Sequence, residues 1–139
     1  MSKLSGSLDT NAILRLILND IPKQSTAVKT MIGNSRGSYV VTDLAIVEVE
    51  YALRTHYGFN REQVNDTLGA VLRHPSISTN LPFMTKVFKA YVSHPRLSFT
   101  DCCLAAHADV DGARPLWTFD QKLAKQSADN ARLIENIRR

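Results

Sequence analysis

The sequence predicts an α/β fold in which a central, mainly parallel sheet is covered by helices on both faces. Three observations point there. Short runs rich in β-formers alternate with longer stretches of helical periodicity, and the connections between them are short. Acidic residues recur at the junctions where a strand hands over to a helix, as at Asp9 and Asp120. With 139 residues, 44% of them hydrophobic, the chain suffices for one well-filled core rather than two. We read residues 1–139 as a single domain without internal repeat or linker.

Residues 3–8 form a polar first strand, and its case rests on the capped helix directly after it. Asp9 caps that helix, whose sides are apolar apart from a stripe of Asn11, Arg15 and Asn19. Asp20 and Pro22 open a second helix with Ala27, Val28, Met31 and Ile32 as its core face, and Gly33 to Gly37 ends it. Ser38 to Val41 is a strand; Thr42 or Asp43 then caps a helix from Leu44 to about His56, closed by Gly58. Asn60-Arg-Glu-Gln63 has the form of a capping box and starts a helix that packs through Val64, Leu68, Val71 and Leu72 and stops at Pro75. Ser76 to Thr79 is a short strand. A helix begun by Asn80 and Pro82 packs through Met84, Val87, Phe88 and Tyr91 as far as Pro95. Ser98 begins the next helix, which runs to the Asp111-Gly112 turn. Pro115 to Phe119 is the clearest strand; Asp120 opens a short basic helix to Ser127, and residues 131–134 make a last edge strand before a charged tail.

The balance of charges, +4 overall, permits a nucleic-acid partner without demanding one. Cys102 and Cys103 are neighbours on a helix, where side chains diverge, so they are expected as unbridged thiols in a reducing compartment. No secretory leader pattern opens the chain, and no apolar run approaches the ~18–20 residues of a membrane span. A cytoplasmic, non-membrane protein is the expectation.

The chemistry lies in the carboxylates. In a parallel sheet the strand carboxyl ends and the helix N-termini share one edge, where ligands sit. Asp9, Asp101 and Asp120 each open a helix and should lie along it. Each has an ordinary explanation taken singly: Asp9 and Asp120 as N-caps, worth ~1 kcal/mol, and Asp101 as the third position of a Ser98 capping box. Capping occupies one carboxylate oxygen and leaves the other. Glu48 lies mid-helix with Leu44, Tyr51 and Ala52 along its face and no basic side chain in helical reach, whereas Glu50 has Arg54 four residues on. We therefore expect Glu48 to be the buried acid in need of a cation and Glu50 the solvated one; the plainer alternative makes Glu48 a half-exposed surface acid. Folding is expected to gather Asp9, Glu48, Asp101 and Asp120 around one divalent cation. Oxygen donors without histidine or thiolate point to Mg²⁺ or Mn²⁺, which can activate water for attack on a phosphoryl group. Thr118 and Asn11 are candidates to bind a ligand water or orient the cluster.

Four stretches, in order, carry a resemblance: Leu8-Asp9-Thr-Asn11 before an apolar helix, Asp43-Leu-Ala-Ile-Val-Glu48, Ser98-Phe-Thr-Asp101 before an alanine-rich helix, and Leu116-Trp-Thr-Phe-Asp120. In their order and spacing the chain resembles the PIN domain family, and within it the VapC-type toxins of toxin–antitoxin pairs. The resemblance implies a three-layer α/β/α fold and a Mg²⁺- or Mn²⁺-dependent endoribonuclease with Asp9, Glu48, Asp101 and Asp120 as acidic ligands and Thr118 as their hydroxyl neighbour. It also implies a homodimer and inhibition by a partner antitoxin. Where some relatives carry a further Asp or Asn just after the last acid, this chain has Lys122.

Lys122, Lys125, Arg132, Arg138 and Arg139 bias the C-terminal end towards positive charge that can hold RNA backbone, and Arg15 offers the same from the first helix. Ordinary solvated charge is the commoner explanation for such residues. The four histidines show no ligand spacing, and neither a nucleophile motif nor a glycine-rich phosphate loop occurs. The nuclease has two rivals. A PIN-like RNA-binding or protein-interaction module would keep the fold without the metal; a phospho-receiver domain would want paired acids after the first strand, where Asp9-Thr-Asn11 supplies one.

Overall fold

The computed structural model describes residues 3–135, so Arg138 and Arg139 of the basic tail lie outside the described residues. The chain forms two compact units, Met1–Leu81 and Pro82–Arg139. The first contains β1 (Leu4–Ser7), α1 (Thr10–Ile17), α2 (Pro22–Asn34), β2 (Ser38–Val40), α3 (Asp43–His56), α4 (Arg61–Leu72) and β3 (Ile77–Ser78). In the second are α5 (Leu81–Ser93, from Pro82 on), α6 (Phe99–Val110), β4 (Leu116–Thr118), α7 (Gln121–Gln126) and β5 (Ala131–Leu133). Among the described residues every pairing is parallel, as the alternation of strands and helices predicts: β1-β2-β3 in the first unit and β4-β5 in the second.

The first strand is exposed along its whole length, which suits its polar sequence, and its backbone is unusual. Its register with β2 shifts between Leu4 and Gly6, and Gly6 has φ 144°, a conformation side chains disfavour. Across the pairing, a Cβ on Gly37 would collide with the Ser5 hydroxyl and the Lys3 carbonyl, so glycine is what lets the chain enter β2 this close to β1. In the same unit, α1, α3 and α4 pack on one another around fully buried Ile13, Ile46, Val49, Leu53, Val64 and Leu68. The Asn60 box is formed in both directions, with Asn60 Oδ1 accepting the Gln63 amide and Gln63 Oε1 accepting the Asn60 amide.

The face of α2 differs from the expected one. Val28 and Ile32 are buried, but Met31 and Ala27 are exposed, and Ser25 completes the inward stripe. A buried serine is tolerated here because its hydroxyl donates to the Leu18 carbonyl at the end of α1, a group the helix itself leaves open.

In the second unit α5 and α6 supply an apolar centre of Met84, Val87, Tyr91, Phe99 and Cys102. Phe99 meets Phe88 and Tyr91 edge-on, with centroids 5.3 and 5.1 Å away. Cys102 and Cys103 are both buried and not joined in a disulfide, in keeping with their divergence on one helix. Among the described residues no helix is long and apolar enough to cross a membrane.

Candidate metal centre

The carboxyl ends of β1 and β2 open onto a hollow of about 510 Å³ in the first unit. Asp9, Thr10, Asn11, Thr42, Leu44 and Glu48 line it. Asp9 reaches this place as the N-cap of α1: the chain leaves β1, and one carboxylate oxygen accepts the Ala12 amide at 2.8 Å. The expected capping role is therefore real, and Oδ2 remains for another partner. Thr42 caps α3 in the same way, accepting the Ala45 amide at 3.3 Å. Glu48 comes one turn later on the side of α3 that faces the hollow, and the Thr10 hydroxyl donates to its Oε2 at 3.1 Å. Asp9 and Glu48, far apart in sequence, thus share one groove with Asn11, the predicted orienting residue.

Glu48 and Glu50 exchange the surroundings expected of them. Glu48 is exposed, while Glu50 is 3% exposed and accepts Arg54 Nε at 2.9 Å. Helical spacing reveals the Glu50–Arg54 pair but not the rotation of α3, which turns Ala45, Ile46, Val49, Glu50 and Leu53 inward. Glu48 remains a candidate for its position in the groove, not for burial. The contact that sequence reasoning misses is Thr10. Helical spacing looks for a partner along the same helix, and this one comes from α1; its only signal is that it directly follows Asp9.

Arg15 also departs from its expected place. It is buried, its guanidinium pairs with Asp20 at 2.8 Å, and Asp20 takes a second bond from the Tyr57 hydroxyl at 3.2 Å. A side chain held within the first unit is withdrawn from any RNA backbone. Its aliphatic stem belongs to the apolar face of α1, which the pattern of polar residues alone conceals.

In the second unit Ser98 caps α6, its hydroxyl accepting the Asp101 amide at 3.0 Å. The Asp101 carboxylate makes no return bond to Ser98 among the described residues, so half of the expected capping box forms and the acid is left open at the first turn. Asp120 caps α7 by accepting the Leu123 amide at 3.1 Å. Its own amide donates to the Thr118 hydroxyl oxygen at 2.9 Å, so Thr118 shapes the turn that presents Asp120 and keeps its O–H to donate elsewhere. Lys122 is exposed on α7.

Among the described residues of either unit, no three His, Cys, Asp or Glu side chains converge to hold a metal ion. The donor set of the groove nonetheless suits a hard divalent cation. It offers two carboxylates with free oxygens, the hydroxyls of Thr10 and Thr42 and the Asn11 amide, and neither thiolate nor imidazole.

A family model described as PIN domain matches residues 7–128, from the end of β1 to just past α7. PIN domains are typically metal-dependent nucleases that act on RNA or other nucleic acid. No curated protein matches the chain.

Proposed function

The chain belongs to the PIN domain family, and from that premise we propose that it is a metal-dependent endoribonuclease, the toxin of a VapBC-type toxin–antitoxin pair. One observation carries this reading: the Asp9 and Glu48 carboxylates share an open groove with Thr10, Asn11 and Thr42 at the carboxyl ends of parallel strands, where α/β folds place their ligands. Asp9, Glu48, Asp101 and Asp120 are the residues we assign to holding Mg²⁺ or Mn²⁺. Such an ion, when bound, supplies an activated water and offsets the charge that builds on a phosphoryl group.

The chain's own groups do the rest. Backbone amides hold one oxygen of Asp9 and one of Asp120, and the Thr10 hydroxyl holds one of Glu48, so each acid is oriented with its other oxygen free. One of these carboxylates takes the proton of the attacking water. The Thr118 hydroxyl, fixed by the Asp120 amide, donates to a ligand water or a phosphate oxygen. Lys122 attracts the RNA backbone from α7. Dimerisation with a second copy, inhibition by an antitoxin and action in the cytoplasm rest on the VapC resemblance.

Purified protein is expected to cut RNA with Mg²⁺ or Mn²⁺ and not with chelator. Asp9→Asn and Asp101→Asn should each lower the rate by about a hundredfold or more, the range for losing a positioned acid or base. Undiminished cleavage by both variants would end the assignment. The exposure of Glu48, which already has the Thr10 hydroxyl as a partner, favours a second reading, a PIN-like module that binds RNA or protein with little activity. Calorimetric titration with Mn²⁺ separates the two, since that module takes up no metal.

A further inference from the structure

A second hollow of the first unit, about 640 Å³, lies at the opposite end of the sheet from the acid groove. Ser35 comes shortly before β2 and Ser76 just before β3, and both line it, with the last turns of α2 and α4. Its walls are largely apolar, with Leu16, Ile32, Val71 and Ile77 among them, and its size is that of a small-molecule cleft. The polar groups it offers decide what such a molecule must carry, and they are donors. The Ile32 carbonyl is taken by the Ser35 amide, the Val71 carbonyl by the His74 amide and the Ser76 carbonyl by the Tyr39 amide. The Ser35 hydroxyl is engaged with the Ser5 hydroxyl and the Gly37 amide. His74 Nδ1 accepts the Ser76 amide at 3.0 Å, which places the hydrogen of the neutral ring on Nε2 and leaves that N–H to donate. Lys29, exposed on α2, adds an ammonium. Among the described residues that line the hollow there is no acid.

We propose that this hollow binds a free apolar carboxylate, a medium-chain fatty acid in kind, with its chain against Leu16, Ile32, Val71 and Ile77 and its head on Lys29 and His74. The site is separate from the acid groove, and the inference stands whether or not the chain is a nuclease. An apolar chain gains by leaving water, and charge-assisted hydrogen bonds fix the head at the rim. A neutral apolar molecule leaves the ammonium idle. An amine meets it with like charge and finds the nearby helix-end carbonyls already in use.

The probe is anilinonaphthalene sulfonate, an apolar anion that fluoresces on leaving water, titrated into the full-length protein. It is displaced with decanoate, decanol or decylamine below the concentrations at which they form micelles. Saturable one-site binding is expected, with decanoate displacing the dye at least about tenfold more tightly than the alcohol or the amine. Lys29→Met keeps the stem and removes the charge, so decanoate should bind about tenfold more weakly while decanol is unchanged. Ala70→Trp lays a large ring over the hollow from an exposed position of α4 and should abolish the binding of decanoate. Decylamine equal to decanoate overturns the proposal, as does parental affinity in Lys29→Met or decanoate binding kept by Ala70→Trp. A second copy of the chain seated there instead would appear in sedimentation as self-association that Ala70→Trp breaks, with decanoate failing to bind. That result also overturns it.

Discussion

A carboxylate in the core of α3 and a carboxylate in the groove beside it face opposite demands. Glu50 is buried against Arg54, whose side chain is 45% exposed. Removing Arg54 takes a charge partner from a buried carboxylate, so Arg54→Ala is expected to lower unfolding free energy by about 1–3 kcal/mol, whereas Glu48→Gln should stay within about 0.5 kcal/mol. Urea denaturation of the two variants checks this, and the opposite ranking would restore the burial expected from sequence. Arg15 belongs with Glu50. Arg15→Ala should cost about 1–3 kcal/mol through lost packing of its buried stem, since Asp20 is exposed and keeps the Tyr57 hydroxyl, while leaving RNA affinity unaltered in a filter-binding assay. At this scale the sequence shows which residues pair four apart but not which way the helix turns. Alternatives such as Glu48 against Glu50 are decided by a rotation that depends on everything packed beneath. Asp9 and Asp120 are legible because an N-cap is local chemistry, written in the residue and the helix after it.

Elements are legible wherever their ends carry side-chain signals. Asn60 with Gln63, Ser98, Thr42 and Asp120 all cap the helices their positions announce, and the bonds are formed. The β1–β2 pair is harder to read, since its polar sequence records a close approach of backbones rather than an apolar face. Gly37 is the pivot there. Gly37→Ala forces a methyl group onto the Lys3 carbonyl and the Ser5 hydroxyl and is expected to cost about 1–3 kcal/mol, the usual penalty for overfilling a tight site. Thermal denaturation measures it, and because β1 leads directly to Asp9, the same substitution should also weaken Mn²⁺ binding. A variant as stable as the parent would mean that β1 yields freely and does not set the position of that acid.

For the whole molecule, the α/β class is legible in the alternation of strands and helices, and the PIN domain family in four short acidic motifs that keep their order along the chain. Asp9 and Glu48, thirty-nine positions apart in sequence, meet in one groove because β1 and β2 are parallel neighbours that deliver α1 and α3 to the same edge. Parallel pairing is a long-range property, and only the alternation of elements hints at it. The proposed nuclease assigns Asp9, Glu48, Asp101 and Asp120 to one ion. Calorimetric titration of Mn²⁺ into the intact protein, Asp9→Asn and Asp101→Asn tests that sharing most directly. One binding event, weakened at least about tenfold by either substitution alone, is the result expected of shared ligands. A wild-type isotherm retained by either variant would contradict it.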